Sequence, residues 1–184
     1  MKKNEMNQAG FIIWLTGLSG VGKSSIVMEL KRTLSSRAIS AYILDGDMLQ
    51  FGLCSDLTFS PRDRRENVRR VGEVAKLFAD AGIICIVAMI SHYREDRQKA
   101  RNLNGRRHFI EVHVDAPIDV CEQRDPKGLY TKARNGAIKE FTGLSSPSER
   151  PEKPKIELCT DKLTTAESTK KILDYLNTAS AKSL

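Results

Sequence analysis

Short β-rich apolar runs alternate along this chain with stretches of helical spacing. Phe11–Leu15 (FIIWL) is an apolar run that leads into a glycine-rich segment, the pattern of a buried strand. Ser24–Ser35 places Ile26, Val27, Leu30 and Leu34 on one side of a predicted helix. Ser40–Leu44 predicts a second short strand, stopped by Asp45-Gly46-Asp47. A long helix is expected from Pro61 to Ala81. Pro61 suits its first turn, Val68, Val71, Ala75 and Phe78 form its inner stripe, and Gly82 is placed to end it. Ile83–Ile90 is nearly unbroken in its apolar character, as in a parallel strand buried on both faces. Arg94–Leu103 reads as a helix, His108–Val114 as a strand and Pro117–Gln123 as a short helix. Asp125–Gly143 is polar and basic, with three glycines, and predicts a loop or mobile flap. Ile156–Leu158 reads as an edge strand, and Thr165–Leu176 as a last helix burying Ile172, Leu173 and Leu176. The alternation predicts an α/β fold, with a mostly parallel sheet and helices on both faces.

The chain has 184 residues, a length that suits one domain with a sizeable core. No stretch approaches the roughly 18 apolar residues of a membrane span, and the start has no leader-like apolar region, so a cytoplasmic location is expected. Cys54, Cys85, Cys121 and Cys159 are scattered, with no CxxC pair. Reduced, mostly buried thiols are expected rather than a disulfide or a metal site built from protein ligands alone. The net charge of +7 suits an anionic partner: nucleic acid, lipid or small molecule. Its densest group is Arg62, Arg64, Arg65, Arg69 and Arg70, which on a helix is mostly a solvated face.

One local motif narrows the chemistry. Gly17-Leu18-Ser19-Gly20-Val21-Gly22-Lys23-Ser24 fits G-x-x-x-x-G-K-[ST], follows a predicted strand and opens a predicted helix, with Ser25 next in line. Glycines let the backbone wrap a phosphate, and the amides of the loop and helix start face the anion. Lys23 then reaches the β- and γ-phosphates of ATP, and the Ser24 hydroxyl ligates Mg²⁺. No base-reading N/TKxD motif of a GTPase is present, and the chain is short for a motor ATPase. A P-loop kinase of three-layer α/β architecture is expected, one domain over residues 1–184 with a basic lid near 125–143. Asp45 and Asp47 end the second strand, where ligands bind in such sheets. A carboxylate there can take a proton from a hydroxyl or help hold Mg²⁺, and Asp-Gly-Asp is equally ordinary turn chemistry.

Several longer segments carry a resemblance. Gly17–Ser25 (GLSGVGKSS), Leu44–Asp47 (LDGD), Gly52–Ser60 (GLCSDLTFS), Asp63–Gly82 and the flap through Phe109–Gly143 (with DPKGLY, KAR and FTG) together resemble the adenylylsulfate kinases. The likeness runs from about Phe11 to beyond Pro154. It implies transfer of the ATP γ-phosphoryl group to the ribose 3′-hydroxyl of adenosine 5′-phosphosulfate. Asp45, with Asp47 beside it, matches the carboxylate that activates this hydroxyl and organises Mg²⁺. Phe59 and Phe141 match aromatics that sandwich the substrate adenine. Arg64 and Asn67 match contacts near the phosphosulfate, and Ile90 and Ser91 the strand end beside it. The family's serine at position 91 is described as a phosphoserine intermediate, although direct in-line transfer needs none. Lys127 and Lys132 of the flap are placed to stabilise the transferring charge. The resemblance further implies a homodimer or higher oligomer and functional coupling to ATP sulfurylase, with no nucleic-acid or membrane partner.

The departures lie on the acceptor side. The family commonly reads D-G-D-N-V-R where this chain has Asp45-Gly46-Asp47-Met48-Leu49-Gln50, so a cation becomes Gln50. Losing such a charge-assisted contact costs about 1.5–3 kcal/mol. His92 stands for a usual proline, Met89 for a phenylalanine and Thr58 for a glycine. His92 and Arg94 are candidates to compensate for Gln50. These changes leave open a kinase of another 5′-substituted nucleotide, such as a cytidine or adenosine diphosphate derivative. An inactive nucleotide-sensing module is a further alternative, and a nucleic-acid binder is suggested by charge alone.

Overall fold

The computed structural model describes residues 10–103 and 108–181; the chain start, read above as lacking a leader, lies outside them. Among the described residues five strands form one parallel sheet in the order β2-β3-β1-β4-β5. They are β1 (Phe11–Thr16), β2 (Ala41–Asp45), β3 (Ile84–Ala88), β4 (His108–Asp115) and β5 (Ile156–Cys159). The helices are α1 (Lys23–Ser36), α2 (Gly46–Leu49), α3 (Pro61–Asp80), α4 (Arg94–Leu103), α5 (Ile118–Arg124), α6 (Leu129–Arg134) and α7 (Thr165–Ala181).

The central strands are apolar throughout because both faces are covered. β1 sends Phe11, Ile13 and Leu15 toward a core shared with α1 and α7, and Ile12 and Trp14 toward a second core under α3. β3 alternates in the same way, with Ile84 and Ile86 on the first face and Cys85 and Val87 on the second. β4 keeps Ile110, Val112 and Val114 in the first core, but its other face carries buried Glu111 and His113. Glu111 is matched there by Arg97 Nε at 2.9 Å and Arg101 Nη2 at 2.7 Å, both from α4. Among the described residues no helix is long and apolar enough to cross a membrane.

Helix ends follow the sequence closely. Ser60 caps α3 through its hydroxyl, which accepts from the Asp63 amide at 3.2 Å, and Pro61 fills the first turn. Gly82, at φ 77°, closes the other end: its amide bonds Ala79 O, and the Ile83 amide bonds Phe78 O. The inner stripe of α3 contains the expected Val68, Val71 and Ala75, with Phe78 at its margin. Val68, Val71, Gly72, Ala75 and Ala79 are buried, whereas Phe78 is half-buried and stacks on Tyr42 with ring centroids 4.5 Å apart. Small residues face inward at this end because the backbone before β1 comes so close. A Cβ on Gly10 would lie 2.1 Å from Ala79 O. The flap differs. It is not loop alone: α6 lies within it, and Tyr130 and Phe141 are buried.

Candidate active site

β1 delivers the chain into the phosphate loop at the carboxyl edge of the sheet. Gly17 passes so near β4 that a Cβ there would sit 2.1 Å from Val114 O. Gly22, at φ 91°, turns the chain into α1 in a conformation that other residues rarely adopt. Gly17 and Val21 are buried, Leu18, Ser19 and Gly20 are half-buried, and Ser24 and Ser25 are exposed on the first turn of α1. Lys23 Nζ donates to Gly17 O at 2.8 Å and Leu18 O at 2.7 Å. Desolvation of this ammonium lowers its pKa to about 8, partly opposed by the negative charge of Asp45 and reinforced by Lys127.

Asp45 is the last residue of β2, one position beyond the expected strand end, and it also caps α2. Its Oδ1 accepts from the Asp47 amide at 2.9 Å. Its Oδ2 accepts from Ser24 Oγ at 3.1 Å, joining the second strand to the start of α1. These are two hard oxygen donors of the kind that Mg²⁺ takes. Asp47 reaches outward and pairs with Lys127 of the flap. Tyr130 OH, also from the flap, donates to Ser19 O at 3.0 Å. Phosphate loop, carboxylates and flap therefore meet at one place, although Lys132 is exposed on α6 without a described part in it.

The other wall comes from α3 and the residues after the flap helix. Arg64 is 7% exposed; its Nη2 donates to Glu140 O at 2.7 Å, and its Nη1 donates to Ser146 Oγ at 2.7 Å and Thr142 Oγ1 at 3.4 Å. Its Nε is buried and unpartnered, as is Oδ1 of Asn67 three residues on. Phe141 is buried, its ring edge-on to Tyr130 at 4.8 Å, whereas Phe59 is 65% exposed. The polar sequence around Phe141 gave no sign of this core contact.

Ser91 follows β3 with φ 44° and is 1% exposed. Its hydroxyl accepts from Trp14 Nε1 at 3.1 Å and donates to Thr16 Oγ1 at 2.9 Å. Thr16 in turn donates to Ile90 O at 2.6 Å. Both roles of the Ser91 hydroxyl are thus engaged below the strand end, and Arg97 Nη1 holds the Ser91 carbonyl at 2.6 Å. The two side chains considered as compensation for Gln50 are differently employed. His92 is driven down to about 4 by burial and by Arg64, Arg97 and Lys23, so it is uncharged near neutrality. Arg94 is turned toward Arg150 O at 2.7 Å and Glu152 at 2.9 Å. Gln50 itself is exposed at the end of α2.

With this geometry in place, comparison with known proteins is specific. Residues 9–159 match the adenylylsulphate kinase family. The chain belongs to that family. An adenylyl-sulfate kinase of Clostridium acetobutylicum is 53% identical over 175 residues, covering 95% of this chain and 87% of the relative. A solved APS kinase of Mycobacterium tuberculosis, in complex with AMPPNP and APS, superposes with a TM-score of 0.89 at 46% identity, covering 92% of this chain and 98% of that one. A hexameric APS kinase from Thiobacillus denitrificans gives a TM-score of 0.72 at 30% identity, covering 94% of this chain and 30% of that one.

Some residues at the family fold's loop edge escaped the sequence reading. Arg124, at the end of α5, donates to Thr160 O at 2.7 Å, and Thr160 Oγ1 donates to Val21 O at 2.8 Å. Together they brace the phosphate loop from the β5 side. Asp125 caps α6 by accepting from the amides of Tyr130 (3.1 Å) and Thr131 (3.0 Å). Only the Asp-Pro pair before the glycine hinted at that turn. His113, Asp115 and Glu157 also converge, but Arg150 pairs with both carboxylates and supplies the cation. Beside them lies a cavity of about 540 Å³ lined by Gly17, Leu18, Asp115, Ser145, Ser146 and Arg150.

Proposed function

We propose that this chain transfers the γ-phosphoryl group of ATP to the 3′-hydroxyl of adenosine 5′-phosphosulfate. The products are ADP and 3′-phosphoadenosine 5′-phosphosulfate. Beyond family membership, the observation that carries this reading is the meeting of Ser24 Oγ and Asp45 Oδ2 at 3.1 Å beside Lys23. Triphosphate binding and proton acceptance then fall on one spot. The 3′-oxygen attacks Pγ, the bond from Pγ to the β-bridging oxygen breaks, and ADP leaves. The Asp45 carboxylate takes the hydroxyl proton. Ser24 and Asp45 are the residues that would hold Mg²⁺, which neutralises charge on the β- and γ-phosphates when bound. Lys23, leaving the Gly17 and Leu18 carbonyls, supplies a positive charge to the same phosphates. Lys127 and Tyr130 close the flap over the loop and exclude water.

On the acceptor side, the unpartnered Arg64 Nε is the donor offered to the anionic end, with the Asn67 side chain one turn on, and Phe59 and Phe141 are read as the adenine contacts. Ser91 is read as an anchor of the strand end rather than as a phosphoryl carrier, because its hydroxyl is already committed to Trp14 and Thr16. The chain is read as one kinase unit, with residues 125–143 as its lid. Self-association in solution is supported by the hexameric neighbour. Four free cysteines fit a reducing cytoplasm. The acceptor's chemistry calls for an upstream enzyme that joins sulfate to an adenylyl group, the reaction of ATP sulfurylase.

The test is ADP release with ATP·Mg²⁺ and a panel of 5′-substituted nucleotides. Adenosine 5′-phosphosulfate is expected to be the best acceptor, and Asp45→Asn is expected to lower kcat by on the order of 10²–10³. A second reading, phosphorylation of another 5′-substituted nucleotide, draws on uncharged Gln50 and His92. It wins if a different acceptor outpaces adenosine 5′-phosphosulfate.

A further inference from the structure

Residues 141–146 form a tight turn. The Phe141 carbonyl accepts from the amides of Leu144, Ser145 and Ser146, and Ser145 Oγ ties the Phe141 amide to Lys139 O. Thr142 sits buried within it, and three segments meet at its hydroxyl. Arg64 Nη1 approaches from α3 at 3.4 Å, and His92 Nε2 from the segment after β3 at 2.5 Å. A guanidinium can only donate, so Thr142 accepts from Arg64, and its own proton is left free for His92 Nε2, the arrangement we assign. The imidazole then carries its proton on Nδ1 and is neutral, in keeping with the depression of its pKa to about 4 by burial and by Arg64, Arg97 and Lys23. The backbone on either side is tied as well, since His92 O accepts from the Glu149 amide at 2.8 Å.

His92 therefore contributes neither charge nor base near neutral pH. Its contribution is a fixed acceptor that orients Thr142. Thr142 adjoins Phe141 in the chain and touches the guanidinium whose Nε is buried without a partner. We propose that His92 is a positioning residue: through Thr142 it fixes the turn that carries Phe141 and the attitude of Arg64, and so sets affinity for the acceptor rather than for ATP. The proposal rests on the reading that Arg64 and Phe141 face the acceptor.

Steady-state kinetics of wild type, His92→Ala, His92→Gln, Thr142→Val and the double variant His92→Ala/Thr142→Val test it. A single neutral hydrogen bond predicts an increase in acceptor KM of about threefold to tenfold for His92→Ala. The ATP KM and kcat should stay within about twofold, since the loop and Asp45 are untouched. His92→Gln, which can accept from Thr142 at a similar reach, should restore most of the acceptor KM. The double variant should be no worse than the poorer single one, because both remove the same bond. An unmoved acceptor KM, an equal loss in all three constants, additive singles or no rescue by glutamine would each overturn the proposal. Wild-type protein that neither turns over nor binds adenosine 5′-phosphosulfate would instead refute the proposed function, and the role of His92 would fall with it.

Discussion

The two walls of the site are made of different material. On the triphosphate side, Gly17–Ser24 is consecutive in sequence and holds its shape through backbone, with Lys23 bonded to loop carbonyls and α1 opening directly from Gly22. On the side proposed for the acceptor, Arg64, His92, Thr142 and Ser146 come from three segments, and Arg64 reaches partners 78 and 82 residues away. The backbone-built wall tolerates few changes, because a Cβ at Gly17 meets the Val114 carbonyl. The wall built from side chains can be retuned one residue at a time. That asymmetry explains how Gln50 and His92 coexist with an unaltered phosphate loop.

Substitution at Lys23 probes the first wall with the largest effect. Lys23→Ala should lower kcat/KM by on the order of 10³ while leaving thermal stability near wild type. A loss under tenfold would mean that the loop amides alone carry the triphosphate. Arg64→Ala probes the second wall. Its acceptor KM should rise by about tenfold to a hundredfold, from a charge-assisted contact of about 1.5–3 kcal/mol, with the ATP KM nearly constant. Equal rises in both constants would merge the two walls into one. The pH profile sharpens the contrast further. The protonated form of Lys23 is the useful one and its pKa is lowered to about 8, so kcat/KM for ATP should be flat below pH 8 and fall by up to about tenfold per unit above it. A flat profile to pH 9.5 would place the ammonium outside the step. The smallest change in rate is expected at Ser91. Ser91→Ala should keep turnover within a few-fold but destabilise the fold by about 1–3 kcal/mol, since buried Trp14 Nε1 loses its acceptor. Abolished turnover with an intact fold would favour a phosphoserine.

How much of this was legible in the sequence follows from the same division. The phosphate loop, the strand before it, Pro61 in the first turn of α3 and Gly82 at its end are local patterns, readable from neighbouring residues. The core faces of β1 and β3 follow from their unbroken apolar runs. Phe78 lies at the margin of the inner stripe, partly buried against the second core, and Ala79 takes the fully buried place because α3 ends against Gly10, a close approach that no periodicity reveals. Helix α6 was hidden in a polar stretch because it is only six residues long and is organised by the Asp125 carboxylate. The residues proposed for the acceptor follow from resemblance, whereas their mutual contacts do not: nothing near His92 in sequence points to Thr142. The bracing of the phosphate loop by Arg124 and Thr160 was missed for the same reason, since 36 residues separate the pair.

The most direct test of the account is the position of the transferred phosphate. Purified protein with ATP·Mg²⁺ and adenosine 5′-phosphosulfate would be followed by ³¹P NMR. A new 3′-phosphomonoester resonance is expected to grow in step with ADP, with the 5′-phosphosulfate signal retained. ADP formed without that resonance, or a phosphate placed elsewhere on the nucleotide, would contradict it.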